Sequence, residues 1–527
     1  MVKSLFNICL SAVCQNRVDE QLACLPSVCK QRLLEFFSSH DQVQDKFIHF
    51  DPLSLVRRKS PIISVTEENY VKKVIINLQL FMADCLRLVS SKPFGANLTS
   101  LYFFLSEQLN DDMLAAIATY NRNLEEITII DCVNVTDQGV MNITNGQNAL
   151  KKLELRASSN LTSRGLNMIR SDFLHTVDLS SCFKITSEGI YQLVNNNRNI
   201  RCLYLNHCIA LCDQALYHIA HYLGESLVVL ELDFLPNLID PHTALYHLSR
   251  NCPNIRQLSL CRFFEVETNF DELQAYQIAG TGLLDIDLYG NHFFLLPQLP
   301  ATVTRLRLSV YGDENVEHLI SRLHLLPQLN SIHLQLSCKD ESWISLPRLV
   351  DTAFSLITQC LPNLIELALD VKHINNKLLR HFFSGGIRSP GSRLLSLKLC
   401  RLRITYRALF AIARGASSIT DLETSHMPCV DDRFLALLAD NCRCLKNVNF
   451  NGCRFITDKG LTALARSCSL KEVRIRATSC TDESIYLLAQ FCPDLEWISH
   501  ADFSGRPKFS DQALQCLRDS CVQRVIC

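Results

Sequence analysis

The sequence predicts an α/β solenoid, a parallel sheet lining one side and helices the other. Three observations predict it: a recurring repeat of similar length, alternation at the start of each repeat, and an amphipathic helix at its end. The stretches LEEITIIDCVNVTDQGVMNI from Leu124, LHTVDLSSCFKITSEGIYQL from Leu174, IRCLYLNHCIALCDQALYHI from Ile200 and CLKNVNFNGCRFITDKGLTAL from Cys444 share one frame. Each has a short alternating strand, a Cys or small residue, a Thr-Asp type of turn and then a helix. The strand anchors Ile127, Leu153, Val177, Leu203 and Leu230 recur every 24 to 27 residues, as do Leu422, Val448, Val473 and Ile498.

Alternation assigns the faces. Leu153 and Leu155 point one way while Lys152, Glu154 and Arg156 point the other, so each strand has a buried and an exposed face. In ITDKGLTALARSC, Asp458 is expected to cap a helix whose Leu461, Leu464, Ala465 and Cys468 fall at i, i+3, i+4 and i+7. One repeat cannot bury both of its elements but a stack can, which gives a curved solenoid with strands inside and helices outside. From residue 263 to 392 strand signals persist in LLDIDLYG, VTRLRLSV, LNSIHLQL and LIELALDV at irregular spacing, and SGGIRSPGSR reads as an exposed loop. Continued solenoid with insertions is preferred there over a second domain.

Composition narrows the function. With 527 residues, 48% hydrophobic and 20% charged, the chain is that of a globular protein with a large core. A formal net charge of -1 gives no general attraction to nucleic acid or anionic membranes. No apolar run reaches the roughly 18 residues that cross a bilayer, so no membrane partner is expected. The 25 cysteines are odd in number and spread along the length. Cys132, Cys182, Cys208 and Cys453 hold the post-strand position, whereas Cys252, Cys442, Cys468 and Cys492 end helices. Free cysteine packs as a small hydrophobe, so a thiol ladder in a reducing compartment, cytoplasmic or nuclear, is expected. These repeats resemble the cysteine-containing class of leucine-rich repeats over roughly Asn97 to Cys527.

Before them stands SLFNICLSAV, Ser4 to Val13. Asn7 and Ser11 interrupt its apolar run and no convincing small-residue cleavage site follows, so a secretory signal is not expected. On a helix Leu5, Ile8, Cys9, Ala12 and Val13 form a stripe. The stretch resembles the elongin-binding box through Ser4, Leu5, Cys9 and Val13. In that family the Leu enters a pocket on elongin C and the Cys packs beside it. LPSVCKQRLLEFF, Leu25 to Phe37, resembles the cullin-2 box, with Pro26 starting a helix on which Leu25, Cys29, Leu33 and Phe36 share a face. Cys29 stands where that box usually has an aliphatic, with Val28 adjacent.

Together these features are similar to substrate receptors of elongin B/C and cullin-2 ubiquitin ligases, in the layout of the Zyg-11 and PRAME groups. The resemblance implies a non-catalytic adaptor whose partners are elongin C and elongin B, cullin-2 with its RING protein, and an unknown substrate protein. The chain ends in repeats where the Zyg-11 type carries an armadillo domain, so that group's substrate rule is not transferred. Leu25 and Pro26 also fit the start of an F-box, which would bind a Skp adaptor, and a capped protein-binding scaffold is the other alternative. The expected organisation is a helical box module over 1–45, a connecting region over 46–96 and the solenoid over 97–527.

Other constellations are weaker. Cys208, Cys212, His218 and His221 have zinc-like spacing, but two belong to the repeat frame and two flank a core stripe, so neither metal nor cofactor is expected. Gly386 to Gly391 lacks the Lys of a phosphate loop, and no nucleophile stands out with partners. The candidate substrate face is near the C-terminal end: Asn447, Asn449 and Asn451, then Glu472, Arg474 and Arg476, then Trp497. A thiol ladder has a direct test. Protein denatured without reductant should titrate with close to 25 free thiols, whereas a disulfide framework would leave only a few.

Overall fold

The computed structural model describes residues 64–65, 71–77, 98–104, 106, 108–264, 282–291, 296–311, 320–337, 345–371, 374–384, 389–500 and 508–521. The chain divides into two compact units, the first ending at Ser259 and the second running on from Leu260.

The first unit holds strands β1 (Ser64–Val65), β2 (Val71–Asn77), β3 (Ser100–Phe104), β4 (Glu126–Ile130), β5 (Lys152–Glu154), β6 (Thr176–Asp178), β7 (Cys202–Tyr204), β8 (Val229–Glu231) and β9 (Gln257–Ser259). Its helices are α1 (Asp111–Tyr120), α2 (Asp137–Thr144), α3 (Ser187–Asn196), α4 (Asp213–Tyr222) and α5 (Pro241–Asn251), with a 3-10 turn at Ser163–Leu166 in place of one of them. β1 pairs antiparallel with β2, and every later neighbour is parallel. The register sets Ile127 beside Leu153, then Val177, Leu203, Leu230 and Leu258. The anchors read from the repeat are thus one row of the sheet, all almost wholly buried.

The second unit holds β10 (Asp285–Leu288), β11 (Arg305–Tyr311), β12 (Ser331–Ser337), β13 (Glu366–Asp370), β14 (Ser396–Leu399), β15 (Asp421–Glu423), β16 (Asn447–Asn449), β17 (Glu472–Arg474) and β18 (Trp497–Ser499), all parallel. Its helices are α6 (Ser345–Cys360), α7 (Asn376–Phe383), α8 (Tyr406–Gly415), α9 (Asp432–Asn441), α10 (Asp458–Ser467), α11 (Asp482–Phe491) and α12 (Asp511–Ser520). All four irregular strand signals form strands here. SGGIRSPGSR departs from the expected exposed loop. Pro390–Arg393 is a 3-10 turn in which Gly391 and Ser392 are buried, and a Cβ at Gly391 would lie 2.2 Å from Phe383 Cδ1. The glycine lets the turn pack on that ring.

Two periodic devices hold neighbouring repeats together. At several helix starts, Thr136, Thr162, Thr457 and Thr481 among them, the Thr before the helix caps its own first turn, and an acid at the start of the preceding helix or turn reaches forward to it. Thr457 accepts from Lys459 N, while Asp432 accepts from Thr457 N at 2.8 Å and Thr457 Oγ1 at 2.6 Å. The same clasp joins Asp111 to Thr136, Asp137 to Thr162, Asp458 to Thr481 and Asp482 to Ser510. Asp458 therefore does not cap its own helix, as the sequence suggested. Thr457 does that, and Asp458 serves the following repeat. Glycine admits the carboxylate: a Cβ at Gly460 would stand 2.4 Å from Asp432 Oδ1, and one at Gly139 2.2 Å from Asp111 Oδ1.

The second device is the thiol ladder. Cys182 Sγ donates to Leu155 O at 2.8 Å, Cys208 Sγ to Leu179 O at 3.0 Å and Cys453 Sγ to Thr424 O at 3.0 Å, each reaching back one repeat. At the helix ends Cys442 Sγ reaches Ala413 O and Ala416 O, both at 3.3 Å. Burial pushes Cys132, Cys208, Cys252, Cys442 and Cys492 up to about 12. Every cysteine among the described residues is a free thiol. Ser158 stands at the ladder position of its repeat, where its buried hydroxyl has no hydrogen-bond partner among the described residues.

The clasp makes a pH-dependent prediction. Burial would raise the Asp458 carboxyl, but hydrogen bonds from Ser484 and Thr481 outweigh it and hold the group below its ordinary 3.8. A depressed carboxyl contributes stability that is present above its unfolded value and lost as pH falls through the folded one. Asp458→Ala should cost about 1–3 kcal/mol locally, read as faster hydrogen exchange at the Thr481 and Ser484 amides near neutral pH. Near pH 2 the difference from wild type should shrink. An equal effect at both pH values would mean that the carboxylate charge contributes nothing to the clasp.

Candidate binding face

Ser4, Leu5, Ile8, Cys9 and Val13 of the first box, and Leu25, Pro26, Cys29, Leu33 and Phe36 of the second, lie outside the described residues. The candidate substrate face lies within them, on the solvent side of β15–β18. Period-two alternation puts Val448, Phe450, Val473, Ile475 and Ile498 into the core and turns their neighbours outward. Register then arranges these neighbours in rows perpendicular to the strands: Asp421, Asn447, Glu472 and Trp497 in one, Glu423, Asn449, Arg474 and Ser499 in the next. The seven sequence-selected residues are all half-buried on this one face.

The structure shows how far each is already engaged. Asn447 Nδ2 donates to Asp421 Oδ1 at 2.5 Å, Asn449 Oδ1 accepts from Asn451 N at 3.1 Å, and Asn451 Oδ1 accepts from Arg476 N at 2.8 Å. Asn447 and Asn451 thus spend part of their capacity joining neighbouring repeats, while Asn449 closes a local turn. The Arg474 guanidinium lies 4.8 Å from the centre of the Trp497 ring, a cation–π stack, and only 3.8 Å from Glu472. Arg476 makes no side-chain ion pair among the described residues. The face is a stacked aromatic and guanidinium platform beside an amide row.

A second polar group on the solvent side of the second unit escaped the sequence reading. Tyr289, just after β10, donates its hydroxyl to Asp370 Oδ2 at 2.9 Å, 81 residues away at the end of β13. Beneath it Arg307 Nε donates to His333 Nδ1 at 3.2 Å, and the Arg307 guanidinium meets Asp287 at 2.5 Å and lies 5.3 Å from the Tyr289 ring centre. Receiving that bond leaves the His333 proton on Nε2. Burial and then the Arg307 charge push His333 down to about 4, and burial with the Asp370 bond pushes Tyr289 up to about 12. Arg307, His333 and Asp370 had only an outward position on their strands as a sequence signal, and Tyr289, past the end of β10, had none.

The zinc-like set does not converge. Cys208 donates into the thiol ladder and Cys212 stands at the start of α4. His218 and His221 line a cleft of about 340 Å³ with Tyr217, His247 and Asn251. Among the described residues no group of three or more His, Cys, Asp or Glu is placed to hold a metal ion. No helix of the described residues is long and apolar enough to cross a membrane.

Strand, turn and helix repeated on a parallel ladder define an α/β leucine-rich-repeat protein. No family model matches the chain. Among solved structures it is similar to a chain of the yeast Rad7 and Elc1 complex, with 14% identity over 97% of this chain and 96% of that one at a TM-score of 0.37. It is also similar to an internalin, inlF, from Listeria monocytogenes, with 13% identity over 80% and 95% of the two chains at a TM-score of 0.28. A chain of the mouse RP105/MD-1 complex matches with 15% identity over 80% and 77% at a TM-score of 0.37.

The His333 environment makes a prediction with a definite sign. An unfolded imidazole takes its proton near 6.5, whereas the folded one stays neutral until about 4. The unfolded chain therefore binds more protons between these values, and stability falls as pH drops from 6.5 towards 4. Melting temperature followed over that range should fall less steeply in His333→Gln than in wild type. Identical slopes would mean that His333 titrates as it does in the unfolded chain.

Proposed function

We propose that this chain is the non-catalytic substrate-recognition subunit of a cullin-RING ubiquitin ligase. The observation that carries the reading is the spacing Ser4, Leu5, Cys9 and Val13, followed by Leu25 to Phe36, ahead of a leucine-rich-repeat stack. In this reading the first box docks elongin C, with elongin B, and the second contacts cullin-2 and its RING protein. The repeats hold the target, in the cytoplasm or nucleus. Such a receptor contributes position, raising the effective concentration of a substrate lysine near the loaded ubiquitin enzyme. A stack clasped repeat to repeat suits that role, because a preformed surface loses little freedom on binding.

A pull-down from cell lysate tests this, with wild type compared with a Leu5→Ser, Cys9→Ser double variant and probes for elongin C, cullin-2 and the Skp adaptor. Wild type should recover elongin C and cullin-2 and the variant should lose at least about tenfold, since both side chains belong to one apolar contact. Equal Skp recovery by both would instead assign the chain to an F-box type of ligase. Recovery of none would leave a protein-binding scaffold.

A further inference from the structure

We propose that the face of β15–β18 binds a peptide in polyproline II conformation that carries a basic side chain and, three residues away, a carboxylate. The inference rests on the reading of this chain as a protein-binding receptor and names the chemistry of what it takes.

Charge changes sign across the face in a fixed distance. Glu423, Asn449 and Arg474 stand in one row on consecutive strands, in the order acid, amide, guanidinium, with the exposed Lys398 of β14 beside Glu423 in the same row and forming no ion pair with it. At the acidic end, Asp421 accepts from Asn447 and Thr420 and Glu423 from Cys400 and Ser425, all neutral donors. Neither forms an ion pair among the described residues. At the basic end Arg474 has only the 3.8 Å contact with Glu472 and its stack on Trp497, and Arg476 is unpaired among the described residues. A ligand with a cation over β15 and an anion over β17 would complete both ends.

The distance selects the ligand's conformation. Two steps between neighbouring strands span about 9.6 Å. A polyproline II peptide has three residues per turn and rises about 3.1 Å per residue, so side chains at i and i+3 share one side about 9.3 Å apart. In a β-strand the residues sharing one side are about 6.7 Å or 13 Å apart, too near or too far. Trp497, on the strand beyond Arg474, adds an aromatic surface of the kind that prolines of such a helix dock against.

The test uses the purified full chain and fluorescein-labelled, proline-rich eight-residue peptides carrying one Lys and one Glu two, three or four positions apart, in both orders. By fluorescence anisotropy, the three-residue spacing in one order should bind at least about tenfold tighter than the other spacings. An Arg474→Glu, Arg476→Glu variant should lose about tenfold for that peptide and recover affinity for the same peptide with Lys in place of Glu. That rescue also shows the variant to be folded. Should it not fold, Asp421→Asn with Glu423→Gln must weaken the same peptide. Affinity independent of spacing, no binding of any peptide at millimolar concentration, or unchanged binding by the folded variants would overturn the proposal. The assay contains no elongin, so its failure is distinct from a failure of the pull-down.

Discussion

The clasp between an acid at the start of one helix and the Thr at the start of the next is the constraint on which the repeat stack depends. It satisfies backbone N–H groups that a helix N-terminus leaves without partners, and it does so between repeats as well as within one. A carboxylate in the first turn is also favoured there by the helix dipole. Asp432 illustrates the economy: it accepts from Thr457 N and Oγ1 and from Gly460 N, so one carboxylate fixes the next turn, its cap and its third helical residue. With the helices pinned in this way, the strands on the other side meet in constant register and the rows of leucines and valines close into the core of each unit.

Much of this was legible because it is local and periodic. The anchors Ile127 to Leu230 and Leu422 to Ile498 announced themselves by spacing, and the structure sets each series in one row. The clasp was half legible. Thr-Asp was visible as a recurrent pair, but which of the two caps depends on a partner about 25 residues away, and so Asp458 was assigned to its own helix. Gly391 looked like loop chemistry when it is a close approach to Phe383. The binding face divides in the same way. Alternation placed Asn447, Arg474 and Trp497 on one side, whereas the bond from Asn447 to Asp421 and the stack of Arg474 on Trp497 arise only after register is known. Tyr289 and Asp370 share no local pattern at all.

The left-handed residues after the strands show what register demands of the chain. Asp131, Ala157, Ser181, His207 and Phe234 in the first unit, and Arg401, His426 and Ala477 in the second, all have φ between 52° and 62°. Only glycine adopts that region freely. Most of these positions nonetheless make a bond that extends the ladder past the strand's end, as His426 N does to Asn451 O at 2.7 Å and Ala157 N does to Ser180 O at 2.9 Å. The bond to the next repeat offsets the strain, and a side chain is kept at the rim, where it stays available for contacts that glycine could not make.

The thiol ladder has a consequence for the chemistry of the chain. Oxidants and electrophiles attack the thiolate, yet the laddered sulfurs are buried, donate their protons to carbonyl groups of the preceding repeat and hold those protons far above neutral pH. Cys444, by contrast, is the one exposed cysteine among the described residues. A protein so rich in sulfur therefore has an interior that is chemically quiet, and a dye or crosslinker aimed at its described surface would find Cys444 well before it found the ladder.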